Sequence, residues 1–248
     1  MNKKRQKILI IVEGEKTEAA LMHKLFSIYK IDSEYELVSY KANIYSLYNQ
    51  MFKNHNPQDF ELQQILKERE QDVYKNEILD ATYSDILLIF DFDPQAPEFS
   101  PEKVEEIAQY FKESSDMGKL YINYPMVESF YHMKDIPDLN YNTYYTTMIE
   151  LLKKAYKTRV NRENRNHDYS KFATTKHECT TVIQQNLDKA WLLLNETPCD
   201  TLPPEQIKIV TAQLKHLTES KKIAVLCTCA FFIPEYNPKL LEEKEHSN

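Results

Sequence analysis

The sequence predicts an α/β fold: a mostly parallel sheet flanked by helices, followed by a mainly helical C-terminal region. Three observations carry that expectation. Short apolar runs rich in branched residues recur in the first half of the chain, of the kind found in strands covered on both faces. Stretches of helical spacing lie between them, the alternation that builds a parallel sheet. The 248 residues are 42% hydrophobic, enough to bury one sizeable core.

Taken in order, KILIIV (7–12) reads as the first strand and EGEK as a short acidic turn. From Thr17 to Phe26, residues Ala20, Leu21, Lys24 and Leu25 fall at helical spacing, with Thr17 or the preceding acids placed to cap the helix. YELVSY (35–40) is a second strand, residues 44–52 are a helix, and 59–80 a charged helical stretch with a solvated face. In SDILLIFDFDPQ, Ile86 to Phe90 form a buried strand that Pro94 stops. A helix from Pro101 to Lys112 follows, with Ser100 at its cap. KLYINYP (119–125) is a fourth strand, and MVESFYHM begins a short helix that would put Glu128 and His132 on one face. Beyond residue 141 helices are expected at 143–157, 171–195 and 203–219, while IAVLCTCAFFI (223–233) suits either a buried helix or a last strand. The chain divides into a core, 1–135, and a helical extension packed on it, 136–248.

Composition excludes several function classes. A formal charge of −7 and a pI near 5.6 rule out adhesion to nucleic acid through overall charge, so any phosphate contact must come from a local basic patch. Cys179, Cys199, Cys227 and Cys229 form no CxxC pair and no zinc-type spacing with His, and read as reduced, mostly buried thiols. The basic MNKKRQK start lacks the apolar run of a signal peptide, and IAVLCTCAFFI is too short to span a membrane, so a cytoplasmic location without membrane contact is expected.

The acids at the strand tips carry the chemistry. In an open α/β sheet, ligands bind at the carboxyl ends of the strands, where Glu13 ends one strand and Asp91 with Asp93 ends another. Residues spaced i, i+2 in extended chain point to one side, so both aspartates can turn toward one point. Three gathered carboxylates repel one another unless a cation neutralises them. Hard oxygens without His or Cys suit Mg²⁺ or Mn²⁺, the equipment of phosphoryl transfer. Gly14 lets the turn's backbone approach closely. A single acid such as Glu13 or Glu15 would be an ordinary turn residue; the pairing of the two motifs changes that.

An apolar run ending in EG and a later one ending in DxD, with a helix straight after the first, resemble the TOPRIM superfamily over roughly residues 7–133. Within it the chain is most similar to small OLD-like nucleases of the RloB or AbiL type, through IIVEGEKTE, DFD and NYPMVESF. The resemblance implies a TOPRIM-like sheet, metal-binding acids at Glu13, Asp91 and Asp93, and a further catalytic acid at Glu128. Tyr169 and Lys171 in DYSK match a late Tyr-x-Lys of some relatives, which would add Lys171 to the catalytic set. Tyr124 and Phe130 depart from the usual Asn-Pro and Trp of the third motif. The family likeness further implies Mg²⁺-dependent cleavage of DNA or RNA phosphodiesters, tRNA included, in anti-phage defence beside an ATPase of the AAA or ABC type. It leaves room for a homo-oligomer.

Other stretches have weaker readings. KTRVNRENRNHDYSKF (157–172) reads as a basic loop whose Arg159, Arg162, Arg165 and Lys171 would contact phosphates, with Tyr169 offering a face to an unpaired base. A solvated linker explains it equally well. His132 and the tyrosines of YNTYYTTM are packing residues by default, as is Trp191. Two rival functions remain: a haloacid-dehalogenase-like phosphatase, from LIFDFD, and a non-catalytic metal- or nucleotide-binding partner subunit. The first leaves Glu13-Gly14 unexplained and lacks the usual Gly-Thr after its motif. No GxxxxGK[ST] motif is present, so an ATP-driven step would need another protein.

Overall fold

Five strands share one sheet in a computed structural model that describes residues 7–53, 57, 61–115, 117–197 and 202–242. β1 (Lys7–Val12), β2 (Glu34–Ser39), β3 (Asp85–Asp91), β4 (Lys112–Glu113) and β5 (Gly118–Asn123) are ordered β2–β1–β3–β5–β4. All neighbouring pairs run parallel except β4 with β5. Ile8 to Val12 and Leu87 to Phe90 are wholly buried, which is why these strands are continuously apolar rather than alternating. Gly118 opens β5 at a φ of 112°, where a Cβ would come within 2.7 Å of Leu88 Cδ1.

Helix α1 (Thr17–Tyr29) carries the chain from β1 to β2 on one side of the sheet. Helices α2 (Ile44–Phe52), α3 (Leu62–Arg69) and α4 (Val73–Asp80) return it past β1 to β3, and α5 (Pro101–Tyr110) leads on toward β5. Right-handed crossovers in opposite directions put α1 and α5 on opposite faces. The charged stretch expected as one helix is two, α3 and α4, broken at Glu70 to Asp72, where Asp72 caps the second by accepting from Tyr74 N at 2.9 Å. α1 starts differently from expectation, since its cap residue is Lys16, whose side chain makes no capping bond.

The remainder is woven into this core. β6 (Tyr145–Thr147), α6 (Met148–Leu152), α7 (Tyr156–Glu163), α8 (Lys176–Leu194), α9 (Gln206–Ser220), β7 (Lys222–Ala224) and α10 (Phe232–Tyr236) complete the chain. α8 packs on α1, whereas α9 packs on α5, so the C-terminal half grips both faces of the sheet. The 223–233 stretch is neither one helix nor one strand: β7 pairs with β6, Leu226 exchanges backbone hydrogen bonds with Tyr124, and a 3₁₀ turn leads into α10. Its aromatic and branched residues are buried throughout, which satisfies the apolar run without a single regular element. Cys179, Cys227 and Cys229 are buried free thiols as expected, while Cys199 lies outside the described residues. Among the described residues no helix is long and apolar enough to cross a membrane.

Candidate functional site

After β1 the chain turns to one side of the sheet and after β3 to the other, so a crevice opens between the carboxyl ends of these two strands. Glu13 N donates to Ile89 O at 3.0 Å, and Glu13 Oε2 accepts from Asp91 N at 3.1 Å. Asp91 is the last residue of β3, and its Oδ1 accepts from Val127 N at 2.9 Å. The two sequence motifs are thus stitched together, with the 127–131 turn as a third party. Asp91 lines a cavity of about 620 Å³ over the strand tips.

Asp93 departs from the extended-chain argument. The strand stops at Asp91, and Asp93 sits in the left-handed region at φ 39°, with its Oδ1 accepting from Gln95 Nε2 at 2.9 Å. The Tyr45 hydroxyl donates to Phe92 O and pins the intervening residue. Asp93 is therefore re-aimed and does not line the cavity with Asp91, although its charge still acts on Glu13.

Two cavity residues escaped the sequence reading of the site. Glu18, buried on the first turn of α1, folds back over the turn so closely that a Cβ on Gly14 would stand 3.0 Å from its Oε2. Room for that carboxylate is what the glycine supplies. The only sequence signal for Glu18 was its place in the EGEKTE stretch. Lys157 is the second: its ammonium pairs with Glu128 Oε1, and both residues line the cavity.

The acids press on one another. Burial, then the charge of Asp93, pushes the Glu13 carboxyl up to about 8, with a smaller contribution from Glu18, while the bond from Asp91 N opposes the rise. Asp91 is raised well above the usual carboxylate range by burial and then by Glu13, Glu18, Asp93 and Glu128. Burial also raises Asp93 and Glu18. Among the described residues Glu13, Asp91 and Asp93 make no salt bridge, and Lys157 pairs with Glu128 while also lying in the field of Glu18 and Asp91. The donor chemistry, hard carboxylates with unneutralised charge, fits a divalent cation such as Mg²⁺. The geometry is less complete, for among the described residues no three His, Cys, Asp or Glu side chains are grouped as a ligand set.

The basic 157–172 segment is not an open loop. Its first half is α7, and its cations already have carboxylate partners. Arg159 bonds Glu150 Oε2 and Glu163 Oε2, each at 3.2 Å; Arg162 bonds Glu163 Oε1 at 3.1 Å; Arg165 bonds Glu178 Oε1 at 2.8 Å. Lys171 lies 3.6 Å from Asp168 and is exposed on a 3₁₀ turn, absent from the lining of the acid cavity. A positive cluster in sequence is thus close to neutral in space.

His132 does not share a face with Glu128. Residues 127–131 form a 3₁₀ turn, whose three-residue period rotates the fifth position away. Glu128 faces the cavity, and His132 is buried on the other side between Tyr156 and Glu163. A carboxylate only accepts, so Nε2–H donates to Glu163 Oε2 at 3.1 Å and Nδ1 accepts from the Tyr156 hydroxyl at 3.1 Å. Burial lowers the His132 pKa to about 4, which makes this imidazole neutral at pH 7.

Comparisons with protein families, with curated proteins and with solved structures found no match to this chain.

Proposed function

We propose that the chain is a metal-dependent phosphodiester hydrolase acting on nucleic acid, with Glu13, Asp91 and Asp93 as the residues that hold Mg²⁺ or Mn²⁺. One observation carries this reading: half-buried carboxylates stand at the ends of two adjacent parallel strands, the Glu13 carboxylate accepts from Asp91 N across them, and neither acid has a salt-bridge partner among the described residues. Such a cluster is electrostatically costly and retains its charge best when a cation is present. The bound metal would polarise the phosphodiester and lower the pKa of a water.

The chain's own residues have distinct tasks in this reading. Asp91 is held by Val127 N, so its orientation is fixed by backbone rather than by solvent. Glu13 either holds the metal or, where it is left free of it, moves a proton at the attacking water, since burial and Asp93 raise its carboxyl in the metal-free chain. Gly14 to Glu18 bring the N-terminus of α1 to the cavity rim, where the positive end of the helix favours a phosphate. Lys157 stands across from it, tied to Glu128 and able to neutralise a phosphate oxygen. The TOPRIM likeness, the anti-phage role and the ATPase partner belong to the same proposal and rest on the sequence motifs alone. The experiment is cleavage of plasmid, single-stranded DNA and tRNA with Mg²⁺ or Mn²⁺, alone and with an ATPase encoded beside it. Metal-dependent phosphodiester cleavage is the expected result; inertness toward all substrates under both conditions would leave the non-catalytic subunit as the reading.

A further inference from the structure

A second cavity, also of about 620 Å³, lies along the side of α1 away from the acids and shares Lys16 and Thr17 with the acid cavity. The two therefore adjoin at the first turn of α1. Their linings differ sharply. Asp91, Glu18 and Glu128 line the first, whereas no carboxylate lines the second, whose charged groups are Lys16 and Lys24. Its wall is a stacked pair, Tyr131 on Tyr169, with ring centroids 4.3 Å apart and planes 11° apart. Phe130 and Phe172 meet Tyr131 edge-on behind it, so the pair is held rigidly.

The Tyr169 hydroxyl is buried and has no hydrogen-bond partner among the described residues. An aromatic wall and two lysines, of which Lys24 already donates to Phe172 O, are contacts that a nucleotide uses: a face for its base and cations for its phosphate.

We propose that this cavity is a stacking subsite for the base of a nucleotide flanking the cleaved phosphate, on a single strand that continues into the acid cavity. The proposal rests on the nuclease reading and deepens it. It also moves the nucleic-acid contact from the paired arginines of α7 and its following loop to α1 and the 169–174 turn.

The test is binding of fluorescein-labelled 12-nucleotide single strands, DNA and RNA, to the whole chain in EDTA, read by anisotropy. Tyr169→Ala should weaken binding about fivefold or more, the range for loss of one base–aromatic stack. Tyr169→Phe keeps the ring and loses only a buried hydroxyl, so it should bind as the wild type does. Ala20, exposed on α1 and lining the cavity, gives a variant that removes no packing: Ala20→Trp fills the space and should weaken binding as Tyr169→Ala does. Abasic sites stepped along the strand should show one position with a comparable loss in the wild type and no further loss in either variant. Lys208→Ala, distant from the cavity and paired with Glu196, is the control expected to bind unchanged. Wild-type affinity in both Tyr169→Ala and Ala20→Trp overturns the subsite alone, as does a loss that no single abasic position reproduces. A wild-type chain that binds neither strand overturns the subsite, while cleavage of plasmid or tRNA with Mg²⁺ or Mn²⁺ decides the nuclease reading separately.

Discussion

Two carboxylate clusters flank the 127–131 turn, and the fold treats them oppositely. On the His132 side, Glu163 receives hydrogen bonds from His132, Arg159 and Arg162. Burial alone would raise its pKa, but those three partners outweigh it and bring it down to about 2. On the Glu128 side, Glu13, Asp91 and Asp93 are crowded without a cationic partner among the described residues, and all are raised. One cluster is a finished structural joint between α7 and the core. The other is a set of acids that repel one another without a compensating partner. The contrast shows that an acid's role here is set by its partners in space rather than by how many acids surround it in sequence.

The sharpest way to break the comparison is to neutralise one member of the unfinished cluster. Glu13→Gln should lower metal-dependent cleavage by roughly 10²-fold or more while leaving the protein folded, because it removes repulsion rather than a partner. Asp91→Asn should do likewise. An aspartyl-phosphate enzyme would lose turnover with Asp91→Asn alone, so an active Glu13→Gln protein ends the nuclease assignment.

The finished cluster should respond in the opposite way. Glu163→Ala strips His132, Arg159 and Arg162 of an acceptor and should lower stability by about 2–3 kcal/mol in urea unfolding. If the melting temperature falls by less than about 1 °C, the joint contributes far less than its geometry suggests.

The pH dependence of stability in EDTA sharpens the contrast further. Glu13 has a folded pKa raised from 4.5 to about 8, so its contribution is full below pH 4.5 and is lost as pH rises through about 8. His132 has a folded pKa lowered from 6.5 to about 4, so its contribution is present above pH 6.5 and is lost as pH falls through about 4. The wild type should therefore lose stability at both ends of that range. Glu13→Gln should make the alkaline fall shallower, with the raised Asp91 still contributing, and leave the acid side unchanged, as urea titrations between pH 4 and pH 9 will test.

A smaller effect is expected from metal. Mg²⁺ or Mn²⁺ should raise the melting temperature by a few degrees at pH 8 and by less at pH 6, where protons compete for the raised carboxyls. Asp91→Asn should abolish the rise. Smallest of all, Arg162→Ala should change oligonucleotide affinity and its salt slope by less than about twofold, since its charge is already answered by Glu163. A slope reduced by about one unit would return α7 to the nucleic-acid interface.

The sequence by itself determined the strand-and-helix alternation, because β-branched runs such as KILIIV and DILLIF are buried on both faces and leave no alternative periodicity. It also put Glu13 and Asp91 at strand ends, whereas the pairing of β1 with β3 that makes those ends neighbours came from the sheet. Local pattern could not show which carboxylate meets which cation. Glu150 and Glu178 reach Arg159 and Arg165 across turns of chain, Lys157 reaches Glu128 from another helix, and none of these pairs has a periodic signature. The left-handed turn at Asp93 and the 3₁₀ period at residues 127–131 likewise came from packing, through Tyr45 on Phe92 O and Val127 N on Asp91. Periodicity reports which residues are buried, whereas electrostatic partnership depends on distances of a few ångströms between segments far apart in sequence, and only the tertiary structure fixes those.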